Sequence, residues 1–241
     1  MQSEGAPRGR SRRTPELKLL TVLVLCCVAL LQITVRADDA GELIPFGLLE
    51  TLDGSIGSEW EPAHVREATI SYQRNSCRCS ITQLPVTVYA LHDEENLYFG
   101  FRMWPGSTQI TWGTFRVFVI LDNGDDMLGS TGDNLLVLPC GSGEEARIDD
   151  LDYHYGGISG GAIGGMTVDE QQDAAGIGRW HSSTGTYEFE IRVSMQSGDP
   201  FDMSVIPGEP FGLVIGFDAY DRQGNYLYSG QAPVLSLVVG L

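Results

Sequence analysis

Residues Asn96 to Met103 alternate strictly, with Leu97, Phe99, Phe101 and Met103 on one side and Tyr98, Gly100 and Arg102 on the other. That period of two is the mark of a β-strand with two unlike faces. An acidic turn, Leu91-His92-Asp93-Glu94-Glu95, leads into it. Phe115-Arg116-Val117-Phe118-Val119-Ile120-Leu121 is apolar on both faces and runs into Asp122-Asn123-Gly124-Asp125-Asp126, a buried strand that opens into an oxygen-rich loop. Tyr187-Glu188-Phe189-Glu190-Ile191-Arg192-Val193 alternates again, which predicts apolar residues inward and charges on a solvated face of an antiparallel sheet. Further strands are predicted over Glu67 to Tyr72, Leu84 to Leu91, Leu135 to Leu138, Ala146 to Tyr153, Phe211 to Ala219, Tyr226 to Ser229 and Val234 to Val239. Glycine is too dense between Gly156 and Gly165 for core, and that stretch reads as a mobile loop. No helical period persists, so the pattern predicts an all-β domain.

The first residues follow another logic. Arg8, Arg10, Arg12, Arg13 and Lys18 precede an apolar run from Leu19 to Val35, and Val35-Arg36-Ala37 supplies small residues around a cleavage point. This reads as a secretory signal cut after Ala37, or as an uncleaved signal anchor, because the run is close to the length that spans a bilayer. The expected division is therefore a signal or anchor helix over residues 1–37 and a β-sandwich over 38–241. Either reading places the sandwich outside the cell or at its surface, touching membrane only through an uncleaved N-terminal segment.

Charge narrows the partners. The chain has 15 basic and 32 acidic residues; past Ala37, nine arginines face thirty acids and no lysine remains, a net charge of −21. Such a domain repels nucleic acid and anionic membrane. It suits cations or neutral ligands, although acids on this scale also serve solubility or a saline habitat. Cys77, Cys79 and Cys140 follow the signal. Export permits a disulfide, and Cys140 is expected to bridge to one member of the Cys-x-Cys pair, Cys79 or Cys77, because neighbours in that motif bridge each other poorly. No suitably spaced histidine completes a four-ligand zinc set.

Five segments, in order, resemble the family 9 carbohydrate-binding modules and their wider DOMON-like sandwich relatives. They are Leu52-Asp53-Gly54-Ser55-Ile56-Gly57-Ser58-Glu59-Trp60, Leu91 to Phe99, Val117 to Gly124, Tyr187 to Ile191 and Phe211 to Asp221. The resemblance spans residues 48–240. It implies an antiparallel jelly-roll-like β-sandwich with a ligand surface and, in many members, bound calcium. Trp60 lies in the opening motif and is expected in the core.

Candidate chemistry falls into three groups. Asp122, Asn123, Asp125, Asp126 and Asp133 crowd one loop with the hard oxygen ligands calcium prefers, and Asp218, Asp221 and Asn225 form a second cluster at the closing turn. Asp149, Asp150 and Asp152 form a third; Asp and Asn are equally the ordinary residues of turns. Sugar recognition needs aromatic faces, and Trp104, Trp112 and Trp180 are the candidates. The DOMON-like side of the resemblance implies an axial Met or His for haem, with Met103, His92 and His154 as candidates; Met in a strand ordinarily fills core space, so calcium rather than haem is the expected cofactor. No nucleophile motif or metal-binding helix signature surrounds His64, His92, His154 or His181, so no catalytic residue is assigned. The expectation is a non-catalytic carbohydrate-binding module, with a saccharide or surface glycan as ligand and a glycan-active enzyme or surface protein as possible partner. The alternatives are a surface interaction domain without a sugar site and a haem-binding sandwich.

Overall fold

The computed structural model describes residues 41–74, 81–104, 114–122, 134–140, 146–147, 149–153, 158–159, 162–163, 166–168, 173–196, 204–220 and 226–240. Its strands are β1 (Glu42–Ile44), β2 (His64–Arg74), β3 (Ile81–His92), β4 (Asn96–Met103), β5 (Thr114–Asp122), β6 (Asn134–Cys140), β7 (Ala146–Arg147) and β8 (Asp149–Tyr153). They continue as β9 (Ile158–Ser159), β10 (Ala162–Ile163), β11 (Met166–Val168), β12 (Ala174–His181), β13 (Thr186–Ser194), β14 (Pro210–Tyr220), β15 (Tyr226–Gln231) and β16 (Leu235–Val239). A single 3₁₀ turn, Ser58–Trp60, is the helical element among the described residues.

Hydrogen bonds run through the sheet in the order β11-β8-β6-β5-β14-β15-β2-β3-β4-β13-β12-β7. The sheet folds on itself at β14 and β15. The first half of β14 pairs with β16, its second half pairs with β15, and β15 hands on to the end of β2. Two layers result. The alternating faces of β3, β4 and β13 (Val86, Val88, Phe99, Phe101, Phe189, Ile191) share one core with Val117, Val119, Leu213, Ile215 and Phe217 from β5 and β14. This is an all-β sandwich, and among the described residues its pairing is antiparallel except where β1 runs parallel to β16 and where an isolated parallel bridge joins Phe46 to His92. That parallel contact follows from the chain entering the sandwich from the same end as its last strand.

Three expectations change. The glycine-rich stretch expected to be a mobile loop contains a ladder, Ala162 opposite Ser159 and Ile163 opposite Ile158. β12 was not foreseen, since Ala-Ala-Gly-Ile-Gly lacks strand character; it forms because β13 offers a paired edge, and Gly178 lets the Phe189 ring lie where a Cβ would stand only 2.5 Å away. The face of β13 expected to be solvated is covered at Glu188 and Glu190, which are 7% and 1% exposed, and open only at Arg192. The signal or anchor segment, Asn123, Asp125, Asp126, Asp221, Trp112, Cys77, Cys79 and His154 lie outside the described residues, and so does the expected Cys79–Cys140 bridge. No helix among the described residues is long and apolar enough to cross a membrane.

Candidate functional site

The outer face of the β2-β3-β4-β13-β12 layer carries the polar chemistry. Residues 47–63 cross part of this face, and Leu49 and Trp60 pack there with Leu91 and Tyr98 as a second, smaller core. What holds the crossing segment is a pair of buried carboxylates. Glu190 Oε2 accepts the backbone N–H groups of Asp53 and Gly54 at 2.5 and 2.6 Å, and its Oε1 accepts the Trp60 indole N–H at 2.9 Å. Glu188 Oε2 accepts the Ile56 N–H at 2.7 Å, while Oε1 takes the Arg102 Nε–H at 2.7 Å. Arg102 also donates to the Ile56 carbonyl at 2.9 Å and to the Tyr89 hydroxyl at 3.3 Å. A loop whose backbone donors would otherwise be stranded is thus satisfied by two carboxylates, and the carboxylates by the loop.

Burial pushes the Glu190 carboxyl above the usual carboxylate range, while the Trp60, Gly54 and Asp53 donors pull it back in part. His181 closes the network, its Nε2 lying 3.2 Å from the Gly54 carbonyl and 3.5 Å from Glu188 Oε2. Sequence reasoning missed this assembly, since alternation reads Glu188 and Glu190 as outward charges. The one available signal was Trp60, whose indole N–H needs an acceptor once the ring is buried.

Beyond the crossing segment the same face stays polar. Register places Glu67, Thr87, Arg102, Glu188 and Arg179 side by side across β2, β3, β4, β13 and β12. The Thr87 hydroxyl donates to Glu67 Oε1 at 2.8 Å. Trp104 stands one residue past β4, its N–H bonded to the Pro85 carbonyl, and is 37% exposed. Alternation sets it on the same face as Arg102, next to that polar row.

The other predicted residues scatter. Trp180 is the next-to-last residue of β12, with only His181 between it and the turn over 182–185; it stands in the row of Tyr187 and Met103 that faces inward, and its ring sits 4.4 Å from that of Tyr187. Trp104 and Trp180 therefore lie on opposite faces of one layer. Trp60 is buried, 2% exposed. Met103, a haem candidate by resemblance, is a core residue at 3% exposure.

Asp122 and Asp218 are both buried, the first at the end of β5 and the second within β14 rather than in the closing turn. Asp122 pairs with Gly212 and Asp218 with Arg116, so six positions, about 20 Å, separate them along β14. Asp218 meets the Arg116 guanidinium at 3.7 Å; burial raises its carboxyl and that cation opposes the rise. No group of three metal-binding side chains converges among the described residues.

No protein-family model matches the chain, and no curated protein matches it. Among solved structures, the chain is similar to a carbohydrate binding module family 9 from Caldicellulosiruptor kristjanssonii in complex with cellotriose, at 14% identity and TM-score 0.47, over 82% of this chain and 92% of that one. It is similar also to a family 9 module from the same organism in complex with glucose, at 13% identity and TM-score 0.47, over 83% and 97% of the two chains.

Proposed function

We propose that the sandwich is a non-catalytic saccharide-binding module, exported or held at the cell surface and steadied by calcium. The observation that carries the saccharide reading is the exposed Trp104 beside the polar row of Arg102 and the exposed Glu67, the latter fixed by the buried Thr87 hydroxyl. An indole face stacks on the C–H face of a sugar ring, while fixed donors and acceptors alongside it select hydroxyl groups. Arg102 is held by three partners before any ligand arrives, which lowers the ordering cost of binding. The calcium reading rests on Asp122, a buried carboxylate that the sequence follows with Asn123, Asp125 and Asp126.

The test is tryptophan fluorescence and calorimetry of the full chain against neutral mono- and oligosaccharides, with calcium and with chelator. One saccharide class should bind, and Trp104→Ala should weaken it tenfold or more while Trp180→Ala changes it little. No binding at millimolar ligand, or equal binding by the Trp104 variant, refutes this site. Calcium should raise the melting temperature; an unchanged melt after chelation removes calcium from the reading.

A further inference from the structure

A second surface lies where the two layers are closed by β1. After three residues paired with β16, the chain leaves the sheet at Pro45, which has no N–H to continue the ladder, and crosses to the end of β3. There the His92 N–H bonds the Pro45 carbonyl at 3.1 Å and the Gly47 N–H bonds the His92 carbonyl at 2.8 Å. The crossing leaves a groove of about 480 Å³ between the layers. Its floor is core: Ile44, Met195 and Val239 are 1%, 7% and 2% exposed. Its walls include Leu43 and Phe46, which are 61% and 64% exposed. Leu48 and Ile206, neighbours in sequence of groove segments, are 63% and 53% exposed.

Single exposed apolar residues need no explanation, but two large ones, Leu43 and Phe46, standing over an apolar-floored groove do. The groove is also pre-shaped. The Phe46 ring stands edge-on to His92 at 5.6 Å, and the two backbone bonds hold the segment that carries it.

Charge decides the occupant. Asp93 and Glu94 form the polar rim, with Glu95 exposed beside them. Asp93 is fixed by the N–H groups of Glu95 and Asn96 and by the Tyr98 hydroxyl. A second copy would bring the same acidic rim against this one in a chain of formal net charge −17, so self-association through this face is opposed. A flat anionic lipid surface is repelled for the same reason. A protein segment with an aliphatic or aromatic anchor and flanking Lys or Arg satisfies both floor and rim, and the volume lies within the roughly 300–1,000 Å³ of ordinary binding pockets.

We infer that this groove docks a basic, apolar segment of another protein. The inference is independent of the saccharide site, which lies on the outer face of one layer.

Two dansylated peptides serve as probes, Lys-Leu-Lys-Phe-Lys and its counterpart with Glu in place of Lys, each titrated against the full chain by fluorescence anisotropy. The basic peptide should bind and the acidic one should not. Phe46→Ser should weaken binding tenfold or more by removing a wall, and Glu94→Lys should weaken the basic peptide and improve the acidic one. Both positions are exposed, so both variants should melt with the parent protein. No binding of the basic peptide, or affinities within twofold across the parent and both variants, overturns the inference. Saccharide binding by the Phe46 variant should be unchanged, which separates failure here from failure of the outer-face site.

Discussion

At the scale of single residues, the Asp93–Tyr98 contact shows how a turn is locked to the strand it begins. Tyr98 is 2% exposed, and its hydroxyl donates to Asp93 Oδ2 at 2.5 Å. Burial, and then the bond to Asp93 and its charge, push the phenol up to about 12. Burial also works to raise the Asp93 carboxyl, but hydrogen bonds from Tyr98, Glu95 and Asn96 outweigh it and hold the group below its usual range. Because the folded phenol titrates above the unfolded value near 10, its contribution is fully present below pH 10 and is lost as pH rises from 10 to about 12. The Asp93 contribution runs the other way, present above about pH 3.8 and lost as pH falls through its lowered folded value. Tyr98→Phe should therefore cost about 1.5–3 kcal/mol at pH 7, the worth of a hydrogen bond to a charged group. Denaturant melts at several pH values check this: the gap between parent and variant should shrink above pH 10, and a gap that stays constant to pH 12 contradicts it. The Asp-x-x-Asn turn and the alternating Tyr98 were visible in the sequence, because both are local. The burial of Glu188 and Glu190 was not, since it depends on a segment more than 120 residues earlier in the chain.

At the scale of elements, the strands legible beforehand were those whose side chains sort by alternation or by continuous apolarity, as in β4, β5, β13 and β14. β12 escaped because its pairing is dictated by its partner: Gly178 is there for the Phe189 ring, not for any strand preference of its own. The same rule governs how the 47–63 segment lies on β4. Gly100 leaves the space that Ile56 and Trp60 fill; a Cβ there would stand 2.7 Å from Ile56 Cδ1 and 3.1 Å from the Trp60 ring. Gly100→Ala should accordingly destabilise the protein by about 1–3 kcal/mol, as overpacking does. It should also shift Trp60 emission to the red as the segment lifts. Adding Ile56→Ala should recover part of the loss, because the two positions share one contact. A Gly100→Ala protein that melts and emits like the parent would show that the segment is not seated as described.

At the scale of the whole molecule, charge and chain path matter most. With a formal net charge of −17, the folded state compresses mutual repulsion that salt relieves within a Debye length of about 10 Å at 0.1 M. Chelator-treated protein should melt several degrees higher in 0.5 M sodium chloride than at low salt; a melting temperature that falls or stays level would mean that local pairs such as Arg102–Glu188 outweigh the global field. The class of the fold, the positions of most strands, the inward set of β4 and the acid excess were properties of the amino-acid order, because hydrophobic period and net charge are summed along the chain without reference to partners. The clasp of Glu188 and Glu190 on the 53–60 segment, the assignment of Trp104 and Trp180 to opposite faces, the distance between Asp122 and Asp218, and the groove beside β1 belong to the folded molecule alone. Each depends on which strands become neighbours and in what register, and register is set by long-range packing that no local stretch of sequence contains.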